Sequence, residues 1–212
     1  MRGRDIKRYS YEFADLYLIA TLPSLKIDIE EYPAVKQHLL DFGYDRLKQT
    51  GDKGARKKTN NKWFETQDSI SYWEDFSKQK IIYPNMTKFL PFVYDEKGFL
   101  TNQKCFIITG QNIPYLTAFL NSSLFKFCYK ENFPELQGGT RELSKIYFDK
   151  IFVKKIEHND EEKISILVNK IQELKIINVS TILLEKELDE LIFDIHEIDS
   201  NDRETIGYIE IK

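Results

Sequence analysis

From Tyr115 to Cys128 the apolar residues Tyr115, Leu116, Phe119, Leu120, Leu124, Phe127 and Cys128 recur at steps of three and four. That spacing predicts an amphipathic helix laid on a core. Asn132 to Gly139 breaks the pattern with Pro134 and the Gly138-Gly139 pair, and the loop that follows carries Thr140 and Arg141. Ile151-Phe152-Val153 is expected to close this unit as a short strand. Upstream, Leu16 to Leu22 (LYLIATL) reads as a buried strand ended by Pro23. Tyr32-Pro33 opens a helix reaching about Lys48, with Pro33 in its first turn and Val35, Leu39, Leu40, Phe42 and Leu47 as its apolar side. Ile81–Tyr83, Phe89–Tyr94 and Cys105–Thr109 read as three strands, with Pro91 placing the second at a sheet edge. Asp95 to Gly98 reads as a hairpin-type turn.

Beyond His158 the pattern changes. From Asp160 to about Ile195 there is no Pro or Gly. Ile164, Leu167, Ile171 and Leu174, then Leu184, Leu188, Leu191 and Ile195, form two heptad-like stripes with a phase change between Asn178 and Thr181. One long helix, or two with a hinge, is expected, packed as a hairpin or on a partner helix. Asp199 to Asp202 offers a cap for a last short helix from Arg203, with Gly207 leaving its length open. The expected class is α+β: a small mixed β-sheet with packed helices, then a coiled-coil-like helical segment. The expected division is residues 1–158 and 159–212.

Composition allows this and narrows the chemistry. Of 212 residues, 42% are apolar and 14% aromatic, ample for a packed core. No apolar run approaches a membrane span of roughly 18 residues, and no signal peptide is expected after the basic start. Cys105 and Cys128 are isolated and are expected as buried, reduced thiols of a cytoplasmic protein. The net charge of −3 conceals an asymmetry. Residues 1–158 carry 25 Lys and Arg against 20 Asp and Glu, and residues 159–212 carry 6 against 14. The first part is the one suited to a polyanion.

Candidate contacts lie in loops. Gly51 to Lys62 (GDKGARKKTNNK) is the most basic stretch, with Lys53, Arg56, Lys57, Lys58 and Lys62 against Asp52, and Trp63-Phe64 follows. Cations beside a flat ring suit nucleic acid, where charge neutralises phosphates and the ring packs on sugar or base. A mobile solvated loop anchored by a core tryptophan has the same composition. Arg4 and Lys7 in the segment Arg2 to Tyr9 are able to hold phosphates or to form a solvated arm. Lys80 either points into a groove or flanks a sheet edge. Gln111, Asn112, Asn121 and Gln137 are amides able to read adenine edges.

In order along the chain, Arg2-Gly3-Arg4-Asp5-Ile6-Lys7-Arg8-Tyr9, Tyr32-Pro33, Trp63 after the basic loop, Lys80-Ile81-Ile82-Tyr83-Pro84, Leu116-x-x-x-Leu120-Asn121-Ser122 and Gly138-Gly139-Thr140-Arg141 resemble the TaqI-like C-terminal specificity domain. This is the target-recognition region of type IIG restriction–modification enzymes, which are fused adenine methyltransferase–endonucleases. The resemblance implies a bacterial-defence role in which the chain binds double-stranded DNA, partnered by methyltransferase and endonuclease domains. It points to Arg4, Lys7, Arg56, Lys57, Lys58, Trp63, Lys80, Thr140 and Arg141 as the DNA-binding set, with core packing favoured for Trp63. It also implies that the N-terminal segment joins a methyltransferase domain, so Met1 is expected to start a fragment or a split gene. The helical tail resembles the spacers of type I specificity subunits.

Catalysis is not expected of the chain itself. Adenine methylation in this family needs a glycine-rich cofactor loop and an Asn/Asp-Pro-Pro-Tyr turn, and no Pro-Pro occurs. Glu173-Leu174-Lys175 and Asp95-Glu96-Lys97 have the acid-x-lysine form of a Mg²⁺ nuclease site. The first falls on a helix and the second in a turn, as surface charge would. His38, His158 and His196 lack metal-ligand spacing with the cysteines. No cofactor is expected in this chain; S-adenosylmethionine and Mg²⁺ belong to the catalytic domains. A non-catalytic protein-interaction module, assembling through the C-terminal helices, is the alternative.

Overall fold

The computed structural model describes residues 1–209, so the last three residues of the 159–212 segment lie outside the described residues. The chain forms two compact units, Met1–Asp15 with Glu74–Lys212, and Leu16–Trp73.

The first unit is built on a three-stranded antiparallel sheet. Strand β3 (Lys80–Pro84) lies between β5 (Val93–Asp95) and β6 (Cys105–Thr109). All five β3 residues are buried, as a continuous apolar run requires when both faces of a strand are covered. Alternation assigns the faces. Ile81 and Tyr83 enter the main core with Phe92, Phe119 and Phe125, while Ile82 packs with Ile6, Val93 and Cys105 in a smaller one. Short antiparallel pairs join β1 (Ile6–Lys7) to β2 (Ser10–Tyr11), and β4 (Met86–Thr87) to β7 (Arg141–Glu142).

Helix α1 (Pro33–Leu47) belongs to the second unit; α2 (Ile113–Leu120) and α3 (Ser123–Asn132) share the periodic stretch of the first. The single helix read from the spacing is broken at Asn121-Ser122 for a polar reason. The Asn121 amide brackets the Phe92 backbone, accepting from its N–H at 3.3 Å and donating to its C=O at 2.8 Å. Ser122 then caps α3 by accepting from the Phe125 N–H at 3.1 Å. The turn α4 (Lys145–Phe148) brings Phe148 parallel to Phe125 at 6.1 Å.

The tail forms α5 (His158–Ile176), α6 (Ile182–Ile195) and α7 (Ser200–Ile206), with the break at the expected phase change and Asp199 capping α7. Ile164, Leu167, Val168 and Ile171 of α5 and Leu188, Ile192 and Phe193 of α6 enter the same core as the sheet. Gln172 reaches from α5 to the edge strand β5, accepting from the Tyr94 N–H at 2.8 Å and donating to its C=O at 3.0 Å. An otherwise open sheet edge is thereby occupied.

Three strand assignments are corrected. Leu16 to Leu22 forms no strand, and Leu16, Tyr17 and Leu18 are exposed. It opens the second unit as irregular chain, buried only at Thr21 and Leu22, and an apolar run alone does not distinguish such a segment from a buried strand. Ile151 to Val153 is also irregular, with Phe152 94% exposed. Phe89 to Tyr94 shortens to β5, because Pro91 cannot donate to a ladder. The turn after β5 is real, with Asp95 accepting from the Lys97 and Phe99 N–H groups, but both flanking strands pair with β3 rather than with each other.

The α+β class is borne out, and the strand pairs among the described residues are antiparallel. Cys105 and Cys128 are free thiols, and burial pushes Cys105 up to about 11 and Cys128 upward.

Candidate nucleic-acid interface

In the first unit, β7 leads out of a hairpin that extends past the core. Glu135 bridges Arg141, and the Leu136 N–H donates to the Thr140 C=O at 2.7 Å, closing the tip. Gly138 and Gly139 sit at φ +73° and +77°, a region a β-carbon disfavours, so the paired glycines make the reversal. Gln137, Gly138 and Gly139 are exposed at the tip. Arg141 builds this loop. Its guanidinium donates to the Phe133 C=O and, at 3.1 Å, to Glu135, and it lies 5.5 Å from the Tyr129 ring centre. With that head committed and the side chain only 15% exposed, Arg141 holds the hairpin before it can offer charge outward. Thr140 does similar local work, donating its hydroxyl to the Gln137 C=O at 3.0 Å.

The partner strand adds groups that the sequence reading did not single out. Thr87 pairs with Arg141, and its hydroxyl closes a ring with the Phe89 backbone. Tyr129, which burial pushes up to about 12, donates to the Thr87 C=O at 3.1 Å. Met86 and Phe89 remain exposed, Phe89 by 76%. The Lys88 ammonium lies 4.0 Å from where a Gly138 β-carbon would stand. A cleft of about 340 Å³ joins Lys7 and Arg8 to Met86, Thr87 and Phe89. The signal was legible: Lys88-Phe89 is a cation beside a ring, the criterion applied to the basic loop.

The N-terminal segment is no free arm. Ile6 and Tyr9 are buried, the Arg2 guanidinium holds the Asp5 carboxyl below the usual carboxylate range, and Arg8 donates to the Asn121 C=O at 3.0 Å. That anchoring leaves Arg4 and Lys7 exposed, Lys7 paired with Glu12.

Lys80 is a correction. Its side chain is fully buried, with the ammonium 2.6 Å from Asp95 and donating to the Phe76 C=O at 2.6 Å. Its position on the central strand puts it inside the sheet, where no phosphate reaches it. Asn121 is removed from the base-reading amides for the same kind of reason, both ends of its amide being spent on Phe92.

The second unit holds the other half of the expected set. Its basic loop is scaffolded from within. Gln49, buried, donates to the Lys62 and Glu65 carbonyls at 3.1 and 2.7 Å and accepts from the Thr59 hydroxyl. Arg56 also donates to the Glu65 C=O, at 2.7 Å, so it braces the loop. Lys57 and Lys58 are exposed, Lys57 paired with Asp68 at 2.6 Å. Trp63 is half-buried between Tyr44 and Phe64, at 5.5 and 5.7 Å between ring centres, and packs rather than projects.

Among the described residues, no group of three or more His, Cys, Asp or Glu side chains is placed to hold a metal ion, and no helix is long and apolar enough to cross a membrane.

What these elements define is an α+β recognition domain, with functional groups on loops braced by a packed scaffold. The family model for the TaqI-like C-terminal specificity domain matches residues 1–153, and the chain belongs to this family. Such a domain recognises the DNA target of a restriction–modification enzyme and is non-catalytic in itself. No curated protein matches the chain. The matched span contains every residue of the expected DNA-binding set and stops before α5.

Proposed function

We propose that the chain is the target-recognition part of a type IIG restriction–modification enzyme of bacterial defence. In this reading it works in the cytoplasm, holding duplex DNA for adenine N6 methylation and cleavage by domains outside this sequence. S-adenosylmethionine and Mg²⁺ serve those domains. Residues 1–158 carry recognition, and residues 159–212 support it as helical scaffold.

The supporting observation is the Gly138-Gly139 hairpin. It exposes Gln137 at a tip whose Gly138 lies near the Lys88 ammonium, on a strand pair fixed by Arg141 and Tyr129 in which Met86 is exposed, as is the nearby Phe89. A narrow tip carrying an amide can enter a groove and meet base edges, while cations at its base meet the backbone. Arg4, Lys7, Lys57, Lys58 and Lys88 supply phosphate contacts. Thr140, Arg141, Arg56 and Trp63 hold the loops that make contact.

Selection of a random duplex library on the purified chain, at about 50 and 200 mM salt, tests this. The expected result is one enriched motif whose binding weakens as salt rises. Absence of binding at both salts would reject recognition by this chain alone. One feature favours the rival protein-interaction reading: Ile176, Ile177, Val179, Ile182 and Leu183 are exposed around the α5–α6 turn. A stable self-assembled species that binds no duplex would support it.

A further inference from the structure

The helical tail lies beyond the matched family span, yet it forms one wall of a polar cleft with the N-terminal segment. This cleft, of about 480 Å³, is lined by Lys7, Arg8 and Ser10 on one side and by Lys175, Asn178 to Ser180, Thr181 and Ile182 on the other. Three of the lining residues are cations and none is acidic. The nearest balancing charge is Glu185, whose side chain is fully buried behind the wall. Its carboxylate is shared, with Arg8 at 3.0 Å and Lys175 at 2.9 Å. Arg8 also faces the buried Asp189 carboxyl, and Lys7 beside them pairs with Glu12, so the acids that anchor these cations stand outside the lining, which itself presents only positive charge.

Two further details favour an oxyanion. Thr181, placed to cap α6, instead donates its hydroxyl to Glu185 at 2.5 Å, so no side chain caps that helix. The N-terminal turn of this 14-residue helix therefore opens at the cleft with uncapped backbone N–H groups, Glu185 being the acid of that turn. The Arg8 Nε is buried without a hydrogen-bond partner, an unmet donor at the same place, and beside it the Glu185 Oε2 is an unmet acceptor.

We infer that this cleft is a phosphate-binding site, and that its occupant is a backbone phosphate of the bound duplex. The identification of the occupant rests on the DNA-recognition reading; the site's chemistry does not. Lys7 and Arg8 line this cleft and the one reaching Met86 and Phe89, so the site continues the candidate interface onto the tail. The tail is then part of the DNA contact as well as scaffold.

The test uses the full chain and Ser180→Asp, which places a carboxylate at an exposed lining position away from the Glu185 pairs. Lys175→Gln serves as a second variant, and both are checked for native folding by circular dichroism. The expected result is that each variant loses about tenfold in duplex affinity, the scale of one charge-assisted hydrogen bond. The log–log salt slope becomes shallower by about 0.9, the contribution of one phosphate. The selected motif stays the same, because backbone contacts carry no sequence information. Inorganic phosphate alone should shift the amide signals of Ser180 and Ile182 in the unaltered chain and not in Ser180→Asp.

Folded variants that keep both affinity and slope would overturn the duplex assignment. Phosphate shifts without any duplex effect would overturn it too, leaving a small phosphorylated ligand as occupant. Absence of phosphate shifts together with unchanged duplex binding would overturn the site itself. If the unaltered chain binds no duplex, the recognition reading fails by that measurement, and phosphate shifts alone decide the site.

Discussion

The two units keep their shape by different means. In the first, buried rings and aliphatic chains from the sheet and from helices α2, α3, α5 and α6 meet in one continuous core. In the second, only Leu22, Ile29, Leu47 and Phe64 are buried apolar residues, and α1 has a single buried position, Leu47. Side-chain amides and a guanidinium bonded to backbone carbonyls hold its loop instead. Apolar packing fixes a scaffold by volume and area, whereas a loop fixed by hydrogen bonds keeps its cations at the surface. The difference suits a domain in which one part must be rigid and another must present charge.

The largest expected effect tests the packed unit. Phe125 contacts Phe92, Phe119, Phe133 and Phe148 and is fully buried. Phe125→Ala should cost about 4 kcal/mol in urea unfolding, through lost burial and the cavity left behind. A loss under about 0.5 kcal/mol, the scale of an ordinary surface change, would mean that this core is not what holds the unit. Next is Lys80→Ala, which leaves Asp95 buried without its counter-ion. The expected loss is about 3 kcal/mol. Wild-type stability together with weakened DNA binding would return Lys80 to the list of contacts.

Lys80 shows what a sequence carries and what it does not. Its neighbours Ile81, Ile82 and Tyr83 announced the strand correctly, as β6 and the α5–α6 break were announced by periodicity and phase. A lysine before such a run is normally at the surface, and only the pairing of β3 with strands on both sides shows that this one is inside. Leu16 to Leu22 fails in the opposite sense, its apolar run having no sheet to join. Local pattern reports period, and burial depends on what packs from elsewhere in the chain. The candidate site was half legible for the same reason. Gly138-Gly139 and the basic loop are local signals, whereas the approach of Lys88 to Gly138, or of Lys175 to Arg8, joins residues 50 or more positions apart.

A smaller effect separates the units. Gln49→Ala removes the two donations to the Lys62 and Glu65 carbonyls and the acceptor for the Thr59 hydroxyl. The expected loss is about 2 kcal/mol, within the range for unmet buried groups. Hydrogen exchange should report it locally, with faster exchange at Gly51, Arg56 and Thr59, whose amides bond within this loop, and unchanged protection along β3. Equal loss of protection on β3 would show the two units opening together and would dissolve the contrast.

The smallest effect on stability is the one that bears on function. Lys58 is exposed, and its β-carbon lies against Gly51, whose φ of +82° turns the loop at that point. Lys58→Glu replaces the charge while leaving the bonds from Gln49 and Arg56 in place, so the unfolding midpoint should stay within about 0.5 kcal/mol of wild type. Duplex affinity should fall, with a shallower salt slope and the same selected motif, because a lost phosphate contact weakens binding evenly across sequences. A changed motif would instead place Lys58 at a base edge, making the second unit a reader of sequence as well as a clamp. Unchanged affinity and slope would remove this loop from the interface, leaving the hairpin of the first unit to carry recognition. The measurement thus decides whether exposed charge held by hydrogen bonds is used for DNA or is merely tolerated at the surface.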